Sequence, residues 1–206
     1  MTTLKTARNI GFDVCSISGG EPLLYSSIVS LVNDISSMNY DIIIYTSGIV
    51  ADEYNTLVSV STDFLSELYN ASRHRMTMIF SIYSDNDNVH DMITDTDGSL
   101  SMTLDSIRNA ISVNIPCEAH FVPMKPNYLH MKSVKALVHN IGVKKMSILR
   151  FIPHGRGKDN IDRLTMNNDE FVHLQQNLID ISSDFIRIGH PIDFRFTIDD
   201  RFQPNK

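Results

Sequence analysis

Cysteine is nearly missing from this 206-residue chain, with Cys15 and Cys117 the only two. Two distant thiols without a secretory signal make neither a disulfide framework nor a compact sulfur-rich metal site. Positive charge is also short: 18 Lys and Arg stand against 24 Asp and Glu, a net charge of −6. A duplex-coating nucleic-acid binder needs a basic face, so no nucleic-acid partner is expected. No apolar run approaches the ~20 residues of a spanning helix, and the polar opening after Met1 has no signal-peptide core, so no membrane partner is expected either. A cytoplasmic location is the default that follows. The histidines lack H-E-x-x-H spacing, which argues against zinc. No G-x-S-x-G elbow supports a serine hydrolase.

What is there is a globular balance, 42% apolar and 20% charged residues, in a length that suits one domain with a real core. Short runs rich in β-branched and aromatic residues predict strands at Asp13–Ser18, Asp41–Thr46, Thr77–Tyr83, Cys117–Pro123 and Lys145–Ile152. Helical spacing separates them. Leu24, Ile28, Leu31, Ile35 and Met38 form one stripe, Leu100, Leu104, Ile107 and Ile111 another, and Met131, Val134, Leu137, Val138 and Ile141 a third that Gly142 closes. Met1–Ile10 reads as the tail of a helix, and Ala51–Ala71 as helical with less regularity, divided into two short helices. After Ile152 come a Gly-rich basic loop, a helix over Asp169–Ile181 and a strand-like pair, Phe185–Ile188 and Ile192–Ile198. Strands alternating with helices of this length predict an α/β fold with parallel pairing.

Ligands gather at the carboxyl ends of strands in such folds. The first strand runs into Gly19-Gly20-Glu21-Pro22, where two glycines admit close backbone approach and Glu21 adds charge. The same letters also suit a tight turn whose Glu and Pro start a helix. The second strand ends in Thr46-Ser47-Gly48, and the third carries Ser81, followed by His90-Asp91. Adjacent helix residues do not face each other, so the His-Asp pair reads as solvated or capping rather than as an acid/base couple. The last strand ends in Arg150-Phe151-Ile152-Pro153-His154-Gly155-Arg156-Gly157-Lys158. Its cations and glycines suit either a backbone nest for an anion or a flexible solvated loop. The spacing is not that of a Walker loop.

Together and in order, these segments resemble the radical S-adenosylmethionine (radical SAM) enzymes. The resemblance spans roughly Thr6 to Lys158, on SISGGEPLL at Ser16–Leu24, YTSG at Tyr45–Gly48, SIYSDNDNVHDMITDTDGSL at Ser81–Leu100 and LRFIPHGRG at Leu149–Gly157. The last is similar to the SPASM-type peptide and protein maturases. The resemblance implies a partial (βα)6 TIM-like barrel, S-adenosylmethionine (SAM) as cofactor, and a peptide or protein substrate. It implies that Gly19, Gly20, Glu21 and Pro22 meet the methionine ammonium. Thr46, Ser47 and Ser81 would line the methionine and ribose, with Leu149–Phe151 beside the adenine.

One departure stands out. The family begins its chemistry at a 4Fe–4S cluster held by a C-x-x-x-C-x-x-C loop after its first strand, and that loop is not in this sequence. The GGEP strand is the family's second and here the first. The expectation is therefore a core barrel over 1–158 missing its first strand, with 159–206 as a helix-and-strand extension of the same domain. No cluster and no catalytic or metal-ligating residue are expected on this chain. It reads as a truncated or split enzyme, partnered by a separate chain that supplies strand and cluster loop, or as a non-catalytic SAM- or peptide-binding module. An unrelated α/β protein with an anion loop at Gly155–Lys158 is the remote third reading.

Overall fold

The computed structural model describes residues 2–181 and 183–188. In chain order it forms α1 (Thr2–Asn9), β1 (Val14–Ile17), α2 (Ile28–Ser37), β2 (Asp41–Thr46), a short hairpin of β3 (Ile49–Ala51) and β4 (Leu57–Ser59), α3 (Thr62–Ala71) and β5 (Met76–Ser81). Then follow α4 (Asp87–Thr94), α5 (Ser99–Ser112), β6 (Cys117–Phe121), α6 (Met131–Ile141) and β7 (Lys145–Ile148). Two single-turn helices, α7 (Arg156–Asp159) and α8 (Ile161–Leu164), lead into α9 (Asn168–Ile181) and β8 (Ile186–Ile188).

The main sheet has six strands in the order β1-β2-β5-β6-β7-β8, every neighbouring pair parallel. Spatial order follows chain order, so each crossover steps one strand onward, as in part of a barrel. The expected α/β, TIM-like architecture is what forms. Among the described residues β1 has a strand neighbour on one side only, β2.

Register sorts the strand residues onto two faces. Ile42, Ile44, Met78, Phe80, Ala119, Phe121, Met146 and Ile148 are fully buried on the helix-covered face. This face is the core. The opposite, inner face carries Tyr45, Ser81, Glu118, His120, Ser147 and Arg187, a polar set in one register. Arg187 donates to Ser147 Oγ at 2.9 Å and to Glu118 Oε2 at 2.6 Å. Burial, and secondarily Arg187, pushes the His120 imidazole down to about 4.

Several expectations change. Ala51–Ala71 is not two helices: the hairpin occupies its first part, and only Thr62–Ala71 is helical. The turn is built by Asp52, whose carboxylate accepts from Tyr54 N and Thr56 N. Leu24 lies in a 3₁₀ turn over Pro22–Leu24 rather than in α2. Phe185–Ile188 contributes a strand to the main sheet beside β7, whereas Ile192–Ile198 lies outside the described residues. Gly142 closes α6 in the left-handed region at φ 103°, as its position predicts. No helix among the described residues is long and apolar enough to cross a membrane.

Candidate functional site

The carboxyl ends of β1, β2 and β5 surround a cleft of about 510 Å³. Gly19, Gly20, Glu21, Thr46, Ser47 and Ser81 all line it, so three separate sequence segments converge there. Pro22 does not. It is buried at the first position of the 3₁₀ turn, with Glu21 capping that turn through a 3.2 Å bond from Leu23 N. Glu21 and Pro22 therefore start a turn, while the adjacent Gly19 and Gly20 line the cleft.

Glu21 is more constrained than a charged rim residue need be. Its Oε1 accepts from Thr46 Oγ1 at 2.6 Å and from Leu23 N, and its Oε2 accepts from Ser47 N at 2.8 Å and Ser47 Oγ at 2.6 Å. A carboxylate has about four acceptor positions, and all are in use. Thr46 Oγ1 accepts in turn from Gly48 N at 2.8 Å, and Ser47 Oγ from Ile49 N at 3.2 Å. Beneath this clamp, α5 anchors the loop: Thr103 Oγ1 donates to Ser47 O at 2.8 Å, and Ser106 Oγ donates to Gly48 O. Gly48 is required here. Its φ is +75°, and an added Cβ would lie 2.9 Å from both Phe80 Cε1 and Ser106 Cβ.

Other polar groups around the cleft are left open. The peptide groups of Gly19 and Gly20 make no hydrogen bond with other described residues, and neither does the Ser81 hydroxyl. They present donors and acceptors to whatever enters. His90, on α4, is 1% exposed and also lines the cleft. Its Nδ1 lies 2.9 Å from Ser99 Oγ, while its Nε2 is buried without a hydrogen-bond partner among the described residues. Burial lowers its pKa below the ordinary 6.5, against the pull of Asp91.

The His90-Asp91 pair divides. Asp91 caps α5, accepting from Gly98 N at 2.6 Å, Ser99 Oγ at 2.8 Å and Leu100 N at 3.1 Å. Burial acts to raise its pKa, but these bonds and His90 outweigh it and hold the carboxyl low. His90, by contrast, is buried rather than solvated. Sequence reasoning also missed Thr103 and Ser106. The signal was available, since Ser99, Thr103 and Ser106 put small hydroxyls at helical spacing beside the apolar stripe of α5, and all three are buried.

Beside this cleft lies a second cavity of about 790 Å³, with Tyr83, Ile93 and Arg156 as the common wall. It takes in Arg150, Phe151, His154 and Gly157 from the basic segment, and Arg163 from α8. Phe151 thus faces this cavity, not the cleft. Tyr83 is held by the fully buried Asn127, whose Nδ2 donates to Tyr83 O at 2.9 Å and Val122 O at 3.0 Å. The basic segment forms no nest. Gly157 N and Lys158 N turn inward to His154 O and Gly155 O, closing the single turn of α7.

No family model matches the sequence. A protein of Saccharolobus islandicus named probable GTP 3′,8-cyclase is 25% identical over 156 residues, which is 75% of this chain and 46% of that one. The chain thus spans less than half the length of the curated relatives it matches. Among solved structures, Streptococcus suis SuiB bound to its precursor peptide SuiA superposes with a TM-score of 0.67 at 13% identity, over 91% of this chain and 40% of that one. Native anSMEcpe with bound AdoMet and Cp18Cys peptide gives a TM-score of 0.61 at 16% identity, over 87% of this chain and 50% of that one. At such identities the structural likeness shows the fold. Relatives and neighbours together support a relationship to the radical SAM superfamily.

Proposed function

We propose that this chain is the SAM-binding barrel portion of a radical SAM protein, and that the cleft at the ends of β1, β2 and β5 is where SAM lodges. One observation carries this: the unpaired Gly19–Gly20 peptide groups and the Ser81 hydroxyl face a cleft in which Glu21, Thr46 and Ser47 are already tied to one another. A methionine zwitterion needs carbonyl acceptors for its ammonium and N–H or O–H donors for its carboxylate. The Gly19–Gly20 backbone supplies both kinds. Glu21 adds its charge and positions that backbone by clamping it to Thr46 and Ser47. Ser81 serves the ribose side.

The 4Fe–4S cluster of the superfamily does not fit the residues present. Cys15 and Cys117 lie on the same, helix-covered face of the sheet, since Cys15 pairs with Ile42 and Cys117 with Met78. Between them are three strand steps, about 14 Å at ~4.8 Å per step. Burial pushes the Cys117 thiol up to about 12 and raises that of Cys15, the wrong direction for thiolate ligands. Among the described residues no group of three His, Cys, Asp or Glu is placed to hold a metal. In a complete enzyme, thiolates from outside this sequence would be required, and a peptide is the substrate class favoured by the peptide-bound neighbours.

Titration calorimetry with SAM tests the reading. Binding is expected, weakened by Glu21→Ala through loss of loop position and by Ser81→Ala. No heat with the intact chain would overturn the proposal. Anaerobic reconstitution of this chain with iron and sulfide, followed by reductant and SAM, is expected to give no 5′-deoxyadenosine. Its formation would overturn the assignment of the cluster to other residues.

A further inference from the structure

The second cavity holds a charge arrangement that the SAM reading leaves unexplained. Elsewhere three arginines find carboxylates, Arg75 with Asp41, Arg108 with Asp105 and Arg187 with Glu118, while Arg8 lies over the Tyr40 ring. Arg150, Arg156 and Arg163 all line the one cavity, and among the described residues none of them has a carboxylate within ion-pair distance. They come from three places, the end of the β7 segment, α7 and α8, so no single helix turn or charge run brings them together. The cavity wall also carries Asp95 and His154. Three guanidinium groups against one carboxylate leave an excess of two positive charges, in a chain whose net charge is −6. Like charges facing a shared space repel one another, and the arrangement is relieved when an anion enters.

Apolar groups accompany the cations. Met92 is 47% and Ile152 62% exposed, and both line this cavity with Phe151 and Pro126. Large apolar side chains left in water beside unpaired guanidinium groups match a ligand with an apolar body and an oxyanion end. The cavity meets the candidate SAM cleft through Tyr83, Ile93 and Arg156, so a molecule held here lies next to a molecule held there.

We propose that this cavity is the substrate site, and that it receives a substrate through an oxyanion, carboxylate or phosphate, held by Arg150, Arg156 and Arg163. The inference rests on the cleft being the SAM site, because that is what makes the neighbouring cavity the substrate's. Its anion recognition can be tested separately.

Titration calorimetry of the full chain at low salt uses two probes, inorganic pyrophosphate and a tri-glutamate peptide, with SAM titrated in parallel. At least one probe is expected to bind, with affinity falling as salt is raised. Arg150→Gln and Arg163→Gln are each expected to weaken it about tenfold, the loss of one charge-assisted bond. Lys158→Gln, in the same basic segment but off the cavity wall, is expected to change it less than twofold. Pyrophosphate binding alone assigns a phosphate-bearing substrate, tri-glutamate alone a carboxylate-bearing one, and both alike a site that reads charge. If neither binds, or if Lys158→Gln weakens binding as much as Arg163→Gln, the oxyanion site is overturned. Failure of SAM with retention of the probes overturns the cofactor assignment and leaves the anion site standing.

Discussion

Around the cleft, Glu21, Thr46, Ser47, Thr103 and Ser106 satisfy one another, and the free groups include the Gly19–Gly20 backbone, the Ser81 hydroxyl and His90 Nε2. Around the neighbouring cavity, Arg150, Arg156 and Arg163 meet no carboxylate among the described residues, and the apolar side chains beside them stand in solvent. The two spaces share a wall, yet one is built for shape and the other for charge. A polar side chain whose bonds are complete holds the backbone in place, and the ligand reads that backbone. A polar side chain whose bonds are open is itself the reader. The contrast predicts that substitutions on the cleft side act first on stability, and those on the cavity side on binding alone.

The largest expected effect is Gly48→Ala. It adds a Cβ at φ +75° against Phe80 and Ser106, both in the packed interior. Left-handed strain and overpacking together cost about 3 kcal/mol, read as a lowered denaturation midpoint in urea. A midpoint within error of the parent would show that the loop is not held as tightly as its bonds imply. Glu21→Ala comes next, at about 2 kcal/mol, because it strips acceptors from Thr46 Oγ1, Ser47 N and Ser47 Oγ while water reaches a half-buried site. Glu21→Gln, which keeps the shape, should cost less. If Glu21→Ala abolished SAM binding with unchanged stability, the side chain would be a direct reader and the contrast between the two spaces would fail.

The same distinction explains what could be read from the sequence. The parallel α/β order was legible because apolar periodicity switches cleanly between strands and helices, and because Gly142 sits where α6 must end. The rim residues were legible because Gly19-Gly20, Thr46-Ser47 and Ser81 stand at strand ends. The hairpin of β3 and β4 was not, since three-residue strands are too short to show alternation and Asp52 supplies the turn through its side chain. The last central strand is shorter than its apolar run suggests. β7 leaves the sheet after Ile148, with Leu149 N to Phe121 O at 2.9 Å as its last ladder bond, and Arg150, Phe151 and Ile152 turn to the cavity instead. The clamp was illegible for a different reason: which partners a carboxylate finds depends on strands brought together from 25 and 26 residues away.

A pH series separates the inner face of the barrel from both spaces. His120 has its pKa pushed down to about 4 from an ordinary 6.5, chiefly by burial and then by Arg187, and it sits on the inner face between Ser81 and Ser147, with Tyr45, Glu118 and Arg187 on the same face. Above pH 6.5 the imidazole is neutral in both folded and unfolded chains, and its full contribution is present. As the pH falls below 6.5 the unfolded chain takes up a proton that the folded chain refuses, so stability is lost progressively down to about pH 4. The slope from this group is at most about 1.4 kcal/mol per pH unit. His90, lowered in the same direction by burial, adds to it. Urea midpoints measured across that range should fall with pH in the parent and fall less steeply in His120→Gln. An unchanged slope in the variant would place the titration elsewhere.

The smallest effect on stability is the sharpest test of the contrast. Arg150 and Arg163 are exposed and meet no carboxylate among the described residues, so replacing either with Gln removes no folded-state ion pair. Such surface changes stay within about 0.5 kcal/mol, and relief of the repulsion among the three cations pushes the change toward stabilisation. The direction matters more than the size. A group kept for packing or for an internal bond destabilises when removed, whereas a group kept for a ligand leaves the unliganded protein as stable as before or slightly more so. The double variant Arg150→Gln, Arg163→Gln should therefore match or exceed the parent's urea midpoint at low salt, with the gain shrinking as salt screens the repulsion. A loss of 1 kcal/mol or more would mean these arginines hold the fold as Glu21 does, and the cavity would join the cleft as a place built for shape.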